Sequence, residues 1–220
     1  MMVIVSPICF TFLFSSMYFL IIFLGDFYAQ KNLVKLFNLY NSFTHGIIAT
    51  LCSYIDICFL IANQSHLVED NFLANWHYIS LFYFIYDTYW SIHDKSYIYI
   101  YHHFVCIAMI LYSFILQKYY NLLSLVLFLG ECSGPMFNLL KIFKLRKYKT
   151  QLLFVIFTTV FIFIRFILTP FAIIYIYTDV NSFVDKCVFI FSGIALMIGS
   201  LFWVKNQYSY IKKRICHKLD

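Results

Sequence analysis

Charge is what this sequence is short of. Only 12% of its 220 residues are Asp, Glu, Lys or Arg, 63% are apolar, and the mean hydropathy is +0.81. Water-soluble domains carry about 25% charged residues, so a soluble core is excluded. Alternation is missing as well. The apolar residues come in unbroken runs, not at every second position, which excludes a transmembrane β-barrel. The seven cysteines form no CxxC pair and no zinc-ligand spacing; most sit inside apolar runs and read as small buried hydrophobes. There is no G-x-x-x-x-G-K-[ST] phosphate loop, no H-E-x-x-H, no G-x-S-x-G, no internal repeat and no low-complexity linker. No motif supports nucleic-acid binding.

What the sequence has is apolar length. A membrane-crossing helix takes about 20 mostly apolar residues. Candidate stretches fall at residues 8–24, 42–62, 73–90, 97–116, 122–143, 152–177 and 186–204. The expected fold is therefore all-α, a polytopic bundle of about seven spans forming one domain. The first stretch has no basic residue before it and no clear small-residue cleavage site after it, so it reads as a retained helix rather than a cleaved signal. With the N-terminus outside, 13 of the 16 Lys and Arg residues fall on the cytosolic side. Only Lys118 and Lys186 fall outside, and Arg165 lies within a span. That asymmetry predicts a cytosolic C-terminus. The basic stretches at 141–149 and 205–218 read as topology determinants that touch anionic headgroups.

The polar residues inside these spans stand out, because a charge in hydrocarbon is costly unless it faces the protein interior and has a partner. His45, Asp56, Asp87, His102, His103, Glu131, Asn138 and Arg165 are of this kind. Glu131, Pro135 and Asn138 fall at i, i+4 and i+7 and share one helical face. Pro135 has no N–H for the carbonyl of Glu131, which predicts a kink facing a cavity or protein. The short link at 117–121 makes its two flanking spans antiparallel neighbours. His102 lies 15 residues before that link and Glu131 ten after it, hence at broadly comparable depth. The spacing predicts a His–Glu hydrogen bond. Such a pair reads either as a base held by its orienting carboxylate or as glue between two helices. Asp87 and Arg165 read as an interior ion pair, and Asp56 as a solvated residue near a span end.

The histidine pair followed by E-x-S-x-P-x-x-N resembles the TLC-domain family, named for translocation-associated, longevity-assurance (ceramide synthase) and ceroid-lipofuscinosis membrane proteins. His45, Tyr86-Asp87 and Arg165 with Pro170 fit in order, and the resemblance spans roughly residues 40–205. It divides the chain into a first helix and cytosolic loop (1–40), a TLC domain (41–205) and a basic cytosolic tail (206–220). It implies a six-helix core around a lipid-accessible cavity. In ceramide synthases the paired histidines serve acyl transfer from acyl-CoA to a sphingoid amine. His102 and His103 match that pair. Glu131 matches the first of two aspartates, two residues before Ser133. The second aspartate falls at Gly134 and is missing, which counts against sphingoid-base acylation. The pattern is closer to small TLC-domain proteins associated with membrane lipid composition, fluidity and phospholipid remodelling.

Two functions from different classes follow as expectations. The first is acyl transfer from acyl-CoA to a lipid acceptor, with His102, His103 and Glu131 catalytic and Ser133, Asn138, Asp87, Arg165 and His45 binding substrate or oxyanion. No bound cofactor and no metal is expected, acyl-CoA being a co-substrate. The second is a non-enzymatic lipid sensor, carrier or cargo receptor. A transporter ranks below both, because no inverted repeat is visible. The expected partners are membrane lipids or acyl-CoA, with protein partners left open. The expected location is the endoplasmic reticulum or another endomembrane.

Overall fold

Helix is the one kind of regular secondary structure among the described residues of the computed structural model, which are 31–63 and 71–216. The apolar stretch at 8–24 lies outside them. In chain order the helices are α1 (Lys31–Asn63), α2 (Asn71–His93), α3 (Tyr97–Leu116), α4 (Tyr120–Glu131), α5 (Gly134–Leu145), α6 (Gln151–Ile162), a π-helical turn (Phe163–Leu168), α7 (Thr169–Asp179) and α8 (Phe183–Cys216). The pairs α4–α5 and α6–α7 are each one interrupted rod, so the described residues form six rods. Four of them, α3, α4–α5, α6–α7 and the first part of α8, are long and apolar enough to cross a membrane. α1 and α2 are more polar because they turn polar residues inward, including His45, Asp56, His77 and Ser80.

Each interruption has a local cause. The stretch expected at 122–143 divides at Cys132-Ser133, just before Pro135, which sits in the first turn of α5 where its missing N–H costs nothing. In the other rod, the N–H of Thr169 reaches five residues back to the carbonyl of Ile164, which also accepts the Thr169 hydroxyl at 3.0 Å. That π turn precedes Pro170 and carries Arg165 to the interior, where it is 6% exposed.

α1 runs along α4 and α5, α2 packs on α3, and α8 packs on α3 and α7. The apolar core, including Phe84, Met109, Ile110, Leu123, Ile176 and Phe189, fills the half of the bundle nearer the α3–α4 link. At that end Asp185, in the first turn of α8, accepts the hydroxyls of Tyr112 and of Tyr119 (2.7 Å) and the ammonium of Lys118 (3.3 Å). The hydrogen bond to Asp185 also raises the pKa of Lys118. Three elements are tied together there.

Asp56 corrects the sequence reading. It is 1% exposed, not solvated. The Trp76 indole donates to its carboxylate at 2.7 Å and the Ser124 hydroxyl at 2.5 Å, so it joins α1, α2 and α4. α1 starts well before residue 42, and α2 and α4 close over the residue.

Close approach of α1 to α5 depends on Gly46. A Cβ there would lie 2.9 Å from Cδ of the rigid Pro135 ring. Gly46→Ala is therefore expected to cost about 1–3 kcal/mol in overpacking, more than the roughly 1 kcal/mol that alanine returns in helix propensity. Gly130→Ala, whose Cβ would meet nothing nearer than 3.7 Å, is the tolerated control. Thermal denaturation of the detergent-solubilised protein checks the pair: the Gly46 variant melts lower and the Gly130 variant does not.

Candidate active site

The turn between α2 and α3 places His102 and His103 in the first turns of α3, facing the interrupted rod and the end of α2. The two rings meet edge to face, with centroids 5.6 Å apart. His102 Nε2 lies 2.8 Å from a carboxylate oxygen of Glu131 on α4, as the link spacing predicted. His103 Nε2 lies 3.2 Å from Asp87 on α2, which also accepts the Tyr83 hydroxyl at 3.1 Å. Ionised carboxylates only accept hydrogen bonds. A proton on Nε2 suits each carboxylate, and in the neutral ring that tautomer leaves the lone pair on Nδ1. His103 Nδ1 is buried without a hydrogen-bond partner.

The two pairs differ in access. The His102 and Glu131 side chains are 19% and 12% exposed, whereas His103 is 4% exposed. Both histidines line a cavity of about 640 Å³, together with Asp87, Glu131, Ser133, Asn138 and Arg165. The cavity reaches the bundle end where Lys35, Asp94, Lys141 and Lys144 lie. Its opposite wall is apolar, built from Phe157, Phe161, Leu196 and Trp203 with Gly199 between them.

Not every expected residue falls there. His45 is 8% exposed, stacks on Tyr83 with centroids 3.6 Å apart, and meets Ser80 Oγ at 3.3 Å; it is not part of the cavity lining. Pro135 packs on α1 instead of sharing the face of Glu131 and Asn138, because the break at Cys132-Ser133 shifts the register. The expected Asp87–Arg165 ion pair is absent. Asp87, near the end of α2, faces α3. Arg165 faces the C-terminal end of α4, where its Nη2 donates to the Gly130 carbonyl at 2.5 Å. The negative end of the α4 dipole favours a cation at that place.

The charge on the approach to the site escaped the sequence reading. Lys141 donates to the Tyr99 hydroxyl at 3.2 Å, and its ammonium lies 4.2 Å from the Phe137 ring centroid. Position 141 continues the stripe of Glu131, Gly134 and Asn138 at helical spacing. That spacing was the available signal, hidden because Lys141 also opens a basic, topology-setting stretch. His102 Nε2, Cys106 Sγ and a Glu131 oxygen lie within 4.8 Å of one another, near enough to hold an ion. Here His102 and Glu131 are hydrogen-bonded directly to each other.

A family profile described as the TLC domain matches residues 9–206. The chain belongs to the TLC-domain family. No curated protein and no solved structure matches it. Membership connects this multipass TLC protein with lipid metabolism or homeostasis. The all-helical architecture and a six-rod bundle agree with the expectation raised by the histidine pair and the E-x-S-x-P-x-x-N segment.

Proposed function

We propose that this protein is a lipid acyltransferase that moves an acyl group from acyl-CoA to a lipid acceptor, with His102 as the base. The observation that carries the reading is the His102–Glu131 pair, 2.8 Å apart on the wall of a cavity. Glu131 fixes the proton on Nε2 and stabilises the imidazolium as it forms, while Nδ1 keeps the lone pair. As the acceptor attacks the thioester carbonyl, its proton passes to His102. The C–S bond then breaks, and the leaving thiolate receives that proton from the imidazolium. The developing oxyanion needs a preorganised donor. Asn138 and Ser133 both line the cavity and supply an amide N–H and a hydroxyl.

The lysines at the mouth suit the phosphates of the donor. Glu131 and Lys141 are ten residues apart on one rod, about 15 Å at 1.5 Å per residue, a span comparable with an extended pantetheine arm. The positive-inside bias supports a cytosolic mouth and C-terminus, the side where acyl-CoA is available. An endoplasmic reticulum or other endomembrane location suits an enzyme that acylates membrane lipid.

The alternative is a non-enzymatic sensor, carrier or cargo receptor. Its support is that both histidine–carboxylate pairs join different helices, as structural glue would. Glu131→Gln separates the readings. The amide oxygen still accepts from Nε2–H, so glue survives, but the negative charge that stabilises imidazolium is gone. Coenzyme A release is expected to fall about 100-fold, at the low end of a general-base contribution, at unchanged protein abundance. Release in the variant that follows abundance alone makes Glu131 structural, and wild-type release no faster than without protein supports the non-enzymatic reading.

A further inference from the structure

The cavity's charges are unevenly committed. Its three carboxylates all have partners: Glu131 has His102 at 2.8 Å, Asp87 has His103 at 3.2 Å, and the exposed Asp94 has His93 at 3.8 Å. Neither carboxylate beside the histidines remains open for a ligand's ammonium group; Asp94, 61% exposed, lies at the mouth. The cations differ. Arg165 is 6% exposed, gives one N–H to the Gly130 carbonyl, and has a buried Nε with no hydrogen-bond partner. No described carboxylate lies within ion-pair distance of Arg165 or of Lys141. A guanidinium held inside a membrane bundle without a contacting anion is costly. A phosphate suits it best, because the planar fork of N–H groups matches two phosphate oxygens.

We propose that Arg165 is a phosphate-binding residue and that the lipid taken into this cavity beside His102 carries a phosphate, not a free amine. The proposal deepens the acyltransferase reading by naming the acceptor class. The binding itself needs no acyl transfer. In a monoacyl glycerophosphate the free hydroxyl and the phosphate sit on the same three-carbon backbone. A base and an anion site on one cavity wall are what such an acceptor requires. Donor phosphates, by contrast, are assigned to Lys141 and its neighbours at the mouth.

The test is equilibrium binding to the full-length protein in nanodiscs with no acyl donor present. Four probes of equal chain length are compared: a monoacyl glycerophosphate, the phosphate-free monoacylglycerol, a sphingoid amine and an acyl-CoA. Wild type is expected to bind the glycerophosphate at least about tenfold more tightly than the neutral lipid or the amine. Arg165→Gln is expected to remove that preference while acyl-CoA binding holds, and Arg165→Lys to keep part of it. Equal binding of the amine or the neutral lipid by wild type overturns the proposal, and that comparison needs no variant to fold. Loss of acyl-CoA binding in Arg165→Gln with the lipid preference intact also overturns it, since Arg165 then serves the donor. A phosphate preference without any coenzyme A release would leave this proposal standing and sink the acyltransferase reading instead.

Discussion

His102→Ala is expected to lower acyl-transfer turnover by about 10²- to 10⁴-fold, the usual range for a positioned general base, in protein that still folds. The imidazole is partly open to the cavity, and its removal leaves a space that water can enter beside Glu131. The stability loss is therefore expected to be small compared with the loss of rate. His103→Ala should behave the other way round. His103 is 4% exposed and joins α3 to Asp87 of α2, so its removal leaves a hole in closed packing and lowers the melting temperature first. Turnover normalised to folded protein, set beside a melting curve for each variant, checks the contrast. Equal behaviour of the two variants would remove the distinction between a base and a brace.

The largest stability effect outside the cavity is expected at Asp56. Its carboxylate accepts both the Trp76 indole and the Ser124 hydroxyl. Alanine leaves the Trp76 indole without its acceptor and leaves the Ser124 hydroxyl only His77 Nε2, at 3.1 Å. Each such group costs about 1–3 kcal/mol, but chains unfolded within a membrane find replacement partners, and single interhelical bonds there average only about 0.6 kcal/mol. The net loss expected for Asp56→Ala is about 2 kcal/mol. Asp56→Asn keeps one acceptor oxygen and should lose about half as much. Denaturant titration in mild detergent measures both. If the order is reversed, the carboxylate is not the acceptor that joins α1, α2 and α4.

The sequence revealed depth better than direction. Both His102 and Glu131 could be placed from their distances to one short link, since helical rise converts residue counts into height. That reasoning found the pair the structure contains. Direction around each helix was harder wherever the helix was not regular. The break at Cys132-Ser133 rotates Pro135 onto Gly46 and away from the stripe that simple spacing assigned to it. The π turn at 163–168 likewise sends Arg165 to the Gly130 carbonyl, so Asp87 is left to His103. Long-range partners such as Tyr112 and Tyr119 on Asp185 carry no local signal at all. They depend on which rods are neighbours, and hydropathy does not report that.

Coenzyme A release is the most direct test of the cavity as an acyl-transfer site. Purified protein in liposomes would be given long-chain acyl-CoA with a monoacyl glycerophosphate, a monoacylglycerol or a sphingoid amine, and free thiol would be followed over time. The wild-type protein is expected to release coenzyme A in step with acylated lipid, fastest with the phosphate-bearing acceptor. His102→Ala and Glu131→Gln should be slower by about 100-fold or more. Release that is absent across chain lengths and acceptors, or that persists unchanged in both variants, would contradict the assignment of His102 and Glu131 as the working pair.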